Sequence, residues 1–340
     1  AKLNPVTTTR TTSCAINRRR FIAGKTWLSV TDELPSLSQL DELPVDRMLC
    51  GISYMWTNGL AIMPELPEVE TIRRELHSQI LRRRLNNVTV LDARLVQTAS
   101  PKAFETRLTG ALITNIARRG KYLMINVESD VLILHLMMSG HVHLRARTDI
   151  RPHTRLLLTL DDDQALHFVD VRRFGRAWIT NEAHTRQVVG HLGPEPLDAG
   201  FDWRSLAVRL HGRRVAIKTA LLDQRTIAGI GNIYADEALF AARIHPETPV
   251  NLLSQPKLRA LTGSIVSVLE SGIAHQGTTF STFETSDGNP GNNQQHLKVF
   301  RKTGQPCPSC GKNIRRIVLA QRSTHYCSNC QRKPRKVSTQ

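Results

Sequence analysis

The chain has 340 residues, with 46 Lys and Arg against 29 Asp and Glu, a formal charge of +17 and an isoelectric point near 10.3. An apolar fraction of 40% supports packed cores and excludes wholesale disorder, and no uninterrupted apolar run approaches the ~18 residues of a membrane-spanning helix. Six cysteines are too few for a disulfide scaffold, and the basic surplus points to a polyanionic partner. Nucleic acid is the first choice; a basic membrane-surface protein would need a long amphipathic Lys-rich helix, which the sequence lacks. The length suits two compact domains with an appendage.

Residues 1–62 show no sustained periodicity and no acid before Asp32, with a basic run at Arg18, Arg19 and Arg20. Phe21 to Val30 is too short, and too interrupted by Lys25 and Thr26, for a secretory signal. The acid-free start faintly resembles an organelle transit peptide; the simplest expectation is a non-native, unprocessed or disordered extension. From Glu68, apolar residues fall at Val69, Ile72, Leu76 and Ile80, the spacing of one helix face, with Pro67 suited to the first turn. Residues 87–180 then break into short apolar segments around Val88, Leu123, Val131, Arg155 and Ala165, separated by polar turns, which predicts an antiparallel sandwich. After Gly193-Pro194-Glu195-Pro196 the pattern turns helical at 216–222, 234–242 and 253–276, followed by a Gly- and Asn-rich loop over 277–295. The predicted class is therefore α+β and multidomain: a sandwich with flanking helices, then a helical domain.

Leu297 to Gln340 holds eleven basic residues and no acid, so binding to phosphates there should release counterions and depend on salt. Cys307-x-x-Cys310 and Cys327-x-x-Cys330 lie sixteen residues apart, the spacing of a four-thiolate zinc site. With all four positions filled, such a site is structural; two disulfides or a redox pair are the alternatives. Alternation between the knuckles predicts a hairpin turning near Ala320 to Ser323, with Arg322 at its tip and placed to meet a phosphate or a base. Cys14 and Cys50 read as ordinary free cysteines.

Several strings share one order: Met63-Pro64-Glu65-Leu66-Pro67-Glu68-Val69-Glu70-Thr71, Arg119-Gly120-Lys121-Tyr122, His135-Leu136-Met137-Met138-Ser139-Gly140 and Asp170-Val171-Arg172-Arg173-Phe174-Gly175. They continue with Gly229-Ile230-Gly231-Asn232-Ile233-Tyr234, Ala320-Gln321-Arg322-Ser323-Thr324 and the four knuckle cysteines. Over some 270 residues this series resembles the bacterial formamidopyrimidine-DNA glycosylases.

The resemblance implies excision of oxidised purines (8-oxoguanine and formamidopyrimidines) from double-stranded DNA, followed by cleavage of the abasic site. It implies that Pro64 is the nucleophile, Glu65 a general acid/base, Glu68 a supporting carboxylate and Lys121 a further catalytic residue. It also implies that Met138, Arg172 and Phe174 fill the gap left by the flipped nucleotide, since flipping costs a few kcal/mol of stacking. His153, Lys218, Asn232 and Arg322 become DNA contacts, and Gly229-Ile230-Gly231-Asn232 the turn of a helix–two-turn–helix. Met138 and Phe174 as core residues, and the Gly-x-Gly as a tight helix connection, are the plainer readings.

Met137 stands where the family usually has Gly and Val171 where it usually has Pro. Asn292 and Asn293 follow Gly291 where related enzymes often carry aromatics, in a loop that closes over the flipped base. Pro64 follows Met63 in a peptide bond, which ties up the nitrogen lone pair, so the covalent chemistry requires a chain that starts at Pro64; an upstream misassigned start is the expected reason. The expected layout is an extension (1–62), a catalytic sandwich (63–195), a helical DNA-binding domain with a capping loop (196–296), a zinc finger with one structural Zn²⁺ (297–331) and a basic tail (332–340). A cytoplasmic monomer acting on oxidised or abasic DNA is expected, with organellar import left open by residues 1–62. The competing functions are an endonuclease VIII-type glycosylase for oxidised pyrimidines, a non-catalytic damage binder if Pro64 stays internal, and, more remotely, a zinc-hairpin RNA or transcription factor.

Overall fold

The structure, a computed structural model, describes residues 63–334. The extension assigned to 1–62 and most of the basic tail lie outside the described residues. The chain enters through helix α1 (Leu66–Ile80), and its apolar stripe of Val69, Ile72, Leu76 and Ile80 is buried as the spacing predicts. Truncating a residue such as Leu76 to Ala would cost about 2–5 kcal/mol.

The sandwich consists of two four-stranded antiparallel sheets. Strand β1 (Leu85–Val90) is followed by helix α2 (Pro101–Leu108) and by β2 (Ile113–Arg119), β3 (Tyr122–Val127), β4 (Asp130–His135) and β5 (Gly140–Ala146). Then come β6 (Thr154–Leu160), β7 (Gln164–Asp170) and β8 (Arg176–Asn181). One sheet has the order β1-β6-β7-β5, the other β2-β3-β4-β8. A continuous core between them takes in Ile72 and Leu76 of α1, Phe104 and Leu108 of α2, and inward residues such as Ile125, Leu134, Leu158 and Phe168. In the β3–β4 hairpin Tyr122 pairs with His135, which sets these two rings side by side at one end of the sheet.

After the short helix α3 (Thr185–Val189), four helices build a second core: α4 (Trp203–Leu210), α5 (Ile217–Leu222), α6 (Asn232–Ala241) and α7 (Gln255–Ala274). Leu66, the first residue of α1, is fully buried in this helical core rather than in the sandwich. Its backbone N–H bonds the Gly229 carbonyl at 3.0 Å. Gly229 sits at φ +84°, and a Cβ there would lie 2.6 Å from Leu66 Cβ, so glycine is required on both counts. A second clasp joins the parts: Arg118 bonds Glu70 at 3.1 Å and Glu195 at 2.7 Å, and Arg119 bonds Glu195 at 2.7 Å. The chain ends in the hairpin of β9 (Arg315–Leu319) and β10 (Arg322–Tyr326), whose two turn residues, Ala320 and Gln321, both have positive φ. That is the geometry of a two-residue turn matched to strand twist.

Candidate active site and nucleic-acid interface

A cleft of about 850 Å³ opens where α1 begins, between the β3–β4 end of the sandwich, the N-terminus of α6 and the β9–β10 hairpin. Met63, Glu65, Lys121, His135, Met138, Asn232 and Arg322 all line it. Pro64 is buried beside it, lining a small recess with Glu68, Thr278 and Phe283.

Glu65 precedes α1, yet its carboxylate turns away to cap α6. Oε2 accepts the N–H of Gly231 at 2.8 Å and of Tyr234 at 3.3 Å, and Oε1 accepts that of Ile233 at 2.9 Å. A Cβ on Gly231 would overlap this carboxylate, so the glycine exists to admit it. The carboxylate is 2% exposed, and burial pushes its pKa up to about 7 against the pull of the Lys121 ammonium and the helix amides. A carboxyl group poised near neutrality can both give and take a proton.

Glu68 is equally buried and raised by desolvation. It accepts the backbone N–H of Glu65 at 2.9 Å, the Tyr234 hydroxyl at 2.8 Å and the Thr278 N–H at 2.8 Å. Asn293 Nδ2 then donates to Thr278 Oγ1 at 2.8 Å. Glu68 thus ties α1, α6 and the 277–295 loop into one knot beneath Pro64. Lys121, at the start of the β3 hairpin, is half-buried with its pKa lowered by desolvation against the attraction of Glu65 and Glu68. Burial and Lys121 also push His135 down to about 4, so its ring is neutral at pH 7. Its Nδ1 accepts the Met137 N–H at 3.0 Å, which leaves the ring proton on Nε2.

The three proposed gap-filling residues stand on two adjacent loops that a single carboxylate ties together. Asp170 accepts from Ser139 Oγ at 2.5 Å, from the Arg172 N–H at 3.1 Å and from the Gly175 N–H at 2.7 Å. Met138 lines the cleft, Phe174 is 39% exposed, and the Arg172 guanidinium lies 4.9 Å over the Phe174 ring. An exposed aromatic stacked under an arginine is not a core residue. Met137 adopts φ +52°, the left-handed conformation that explains a usual glycine there. His153 is exposed, and its carbonyl accepts the Asp170 N–H at 2.9 Å.

Asn232 opens α6, and its buried Oδ1 has no hydrogen-bond partner among the described residues. Arg322 begins β10 and lines the cleft wall facing Lys121, whose pKa its charge lowers. Lys218 departs from the expectation of a phosphate contact. Its side chain is 0% exposed, and its ammonium bonds Asp236 at 2.7 Å, the Ser323 carbonyl at 2.9 Å and Thr324 Oγ1 at 2.9 Å. Asp236 also accepts from the His325 N–H at 2.8 Å, so this buried pair fastens the hairpin to α5 and α6 and holds Arg322 in place. Tyr234, Thr278, Asn293, Asp170 and Gln224, which braces the 224–230 turn through the Gly229 N–H and the Ile230 carbonyl, were not legible as site residues. Their functional contacts all run to backbone or to partners distant in sequence.

Cys307, Cys310, Cys327 and Cys330 converge with all four Sγ atoms within 4.8 Å of one another. The pairs Cys307–Cys330 and Cys310–Cys327 stand 3.9 and 3.4 Å apart, too far for a disulfide. They bracket the ~3.8 Å edge of a tetrahedron with Zn–S bonds of about 2.3 Å. The donors therefore fit one structural Zn²⁺, which pins the base of the hairpin.

Three family models match in chain order: the formamidopyrimidine-DNA glycosylase N-terminal domain over 63–177, its H2TH domain over 192–284, and the zinc finger found in FPG and IleRS over 304–332. A formamidopyrimidine-DNA glycosylase of Symbiobacterium thermophilum is 43% identical over 279 residues, covering 81% of this chain and 92% of that protein. The chain belongs to the formamidopyrimidine-DNA glycosylase family. The Moorella thermoacetica member is 44% identical over 259 residues, 75% of this chain and 94% of that protein. Among solved structures, the Lactococcus lactis enzyme bound to DNA containing Fapy-dG has a TM-score of 0.73 at 36% identity, covering 79% of this chain and all of that one. The same enzyme bound to DNA with an abasic site also has a TM-score of 0.73 at 36% identity. These relatives carry the purine-lesion name, not the endonuclease VIII name. Among the described residues no helix is long and apolar enough to cross a membrane.

Proposed function

We propose that the protein is a base-excision-repair DNA glycosylase and abasic-site lyase for oxidised purines, and that a Pro64 amine carries the chemistry. The observation that carries this reading is Glu65: a buried carboxylic acid with a pKa near 7, next in sequence to Pro64 and sharing a cleft with Lys121. In the reaction, the Pro64 lone pair attacks C1′ of the flipped nucleotide. The C1′–N bond to the base breaks, the base leaves with a proton, and Glu65 protonates the sugar-ring oxygen as the ring opens to an iminium. That cation acidifies the C2′ proton; its removal expels the 3′-phosphate, and a second elimination expels the 5′-phosphate. Water then adds to C1′ of the iminium, the C1′–N bond breaks, and the sugar remnant leaves as an aldehyde while Pro64 is restored as a free amine.

Glu68 keeps the Glu65 backbone fixed, Lys121 holds negative charge beside the sugar, and Met138, Arg172 and Phe174 occupy the vacated stack. The exposed His153, the side-chain amide N–H of Asn232 at the mouth of α6 and the Arg322 hairpin receive the DNA backbone around the lesion. Attack needs a secondary amine, and the bond from Met63 makes the Pro64 nitrogen an amide, so the active form begins at Pro64. The expected compartment is the bacterial cytoplasm, and the expected state is a monomer.

Single-turnover excision on matched duplexes tests the reading. A Met-trimmed protein beginning at Pro64 should release 8-oxoguanine faster than an oxidised pyrimidine, and Glu65→Gln should lose about 10²-fold or more. Faster pyrimidine release would favour the endonuclease VIII-type reading, and no release of either lesion would overturn the enzymatic one.

A further inference from the structure

Strand β5 is an edge strand of its sheet, and its two faces differ. Val142 packs into the sandwich core, while His141 and His143 point to the opposite face, where the sequence places polar residues for solvent. Yet His143 is only 4% exposed, because the 277–295 loop lies along this edge, bonded through the Leu144 N–H to the Ser286 carbonyl at 3.0 Å. From that loop Glu284 reaches back, setting its Oε2 3.0 Å from His143 Nε2. The two imidazoles stack with ring centroids 5.6 Å apart. One ligand atom from each of His141, His143 and Glu284 falls within 4.8 Å of the others. Neither nitrogen of His143 has a hydrogen bond of good geometry among the described residues, so a buried imidazole stands unsatisfied in front of a carboxylate.

We propose that His141, His143 and Glu284 form a second metal site, taking one borderline divalent ion of the zinc class with the remaining position left to water. Two imidazoles and a carboxylate are the donor set that suits such an ion, and a set of three leaves coordination open. The nearby cations do not forbid it: Arg145 and Arg151 are each paired with Asp149, at 3.7 and 3.5 Å. Asp170 adds favourable charge at His141, and His167, opposite His143, is directed to the Ala146 carbonyl. An ion here would staple the sandwich edge to the loop whose other end supports Glu68. This site is separate from the four-thiolate finger and stands whether or not the glycosylase reading holds.

The test is a Co²⁺ titration of full-chain protein whose finger already carries one equivalent of zinc. The expected result is one further equivalent, with weak visible bands and no thiolate charge-transfer absorption. Glu284→Gln, on a half-exposed loop residue, and His141→Gln should each weaken that equivalent by more than ~10-fold while leaving the finger zinc in place. No second equivalent, thiolate bands alone, or a second equivalent that both variants retain would overturn the proposal.

Discussion

Gly231→Ala perturbs the site without replacing any of its reacting groups. Gly231 has an ordinary extended backbone, φ −130°, so the added methyl costs no backbone strain. The cost is steric: the new Cβ would overlap the Glu65 carboxyl and stand 2.7 Å from Glu65 Cγ. Restoring ordinary carbon–carbon contact near ~3.5–4 Å moves the carboxylate by about 1 Å. Glu65 is buried and cannot swing into solvent, so it loses good geometry with the Gly231, Ile233 and Tyr234 amides. At ~1.5 kcal/mol for each charge-assisted bond, with two of three lost, destabilisation should be about 3 kcal/mol. A 1 Å displacement of a proton-transfer group should slow chemistry about 10²-fold. Denaturant melts and single-turnover excision read the two effects. The double mutant with Glu65→Ala isolates the cause: without the carboxylate the methyl has nothing to strike, and the penalty should shrink to below ~1 kcal/mol. A Gly231→Ala protein within about 0.5 kcal/mol of the parent, or a penalty that persists in the Glu65→Ala background, would refute the reasoning.

Gly263 is the opposite case: it is exposed within α7 with nothing near a prospective Cβ, so Gly263→Ala should stabilise by about 0.5–1 kcal/mol in the same melts. Lys218→Ala leaves Asp236 buried without its ammonium partner, held only by His325, and should cost about 3–5 kcal/mol in those melts. Lys218→Met, a milder change, should leave the slope of log K against log salt unchanged, whereas loss of a phosphate contact would reduce it by about 1. Glu65 has its folded pKa raised from 4.5 to about 7, so its contribution to stability is fully present below pH 4.5 and is lost as pH rises to 7. The loss is of order 3 kcal/mol, and melts across that window should show a pH slope that Glu65→Gln flattens. Removing zinc with a chelator should unfold the hairpin and abolish lesion-specific binding, measured by fluorescence anisotropy, with the sandwich retained.

Much of this architecture is legible in the sequence because apolar period and burial agree. The α1 stripe and strands β1, β3, β4, β6 and β7 carry continuous or alternating aliphatic residues. Strands β2, β5 and β8 are not legible in the sequence because their faces are polar: β2 ends in Ala-Arg-Arg, β5 begins Gly-His-Val-His, and their partners rather than their composition make them strands. Helices α2 and α4 are short amphipathic helices of eight residues, about two turns, too brief to stand out by periodicity. The zinc ligands are legible from their spacing, and the Sγ separations exclude the disulfide alternative. Lys218 was misread because nothing local announces Asp236 or the Ser323 carbonyl; a lysine beside a phosphate-binding turn looks the same in sequence whether it faces DNA or an interior carboxylate. The Glu68–Tyr234–Thr278–Asn293 knot is hidden for the same reason, since its members are more than 40 residues apart in places and meet only in the tertiary structure.

Borohydride trapping on abasic duplex, followed by peptide mass spectrometry, measures the central claim most directly. Two zinc-loaded proteins are compared: the full chain with Met63 bonded to Pro64, and one whose processed terminus is Pro64. The account predicts a covalent DNA adduct on Pro64 in the processed protein and none in the full chain. An adduct on another residue, equal trapping by both, or no trapping by the processed form would contradict it.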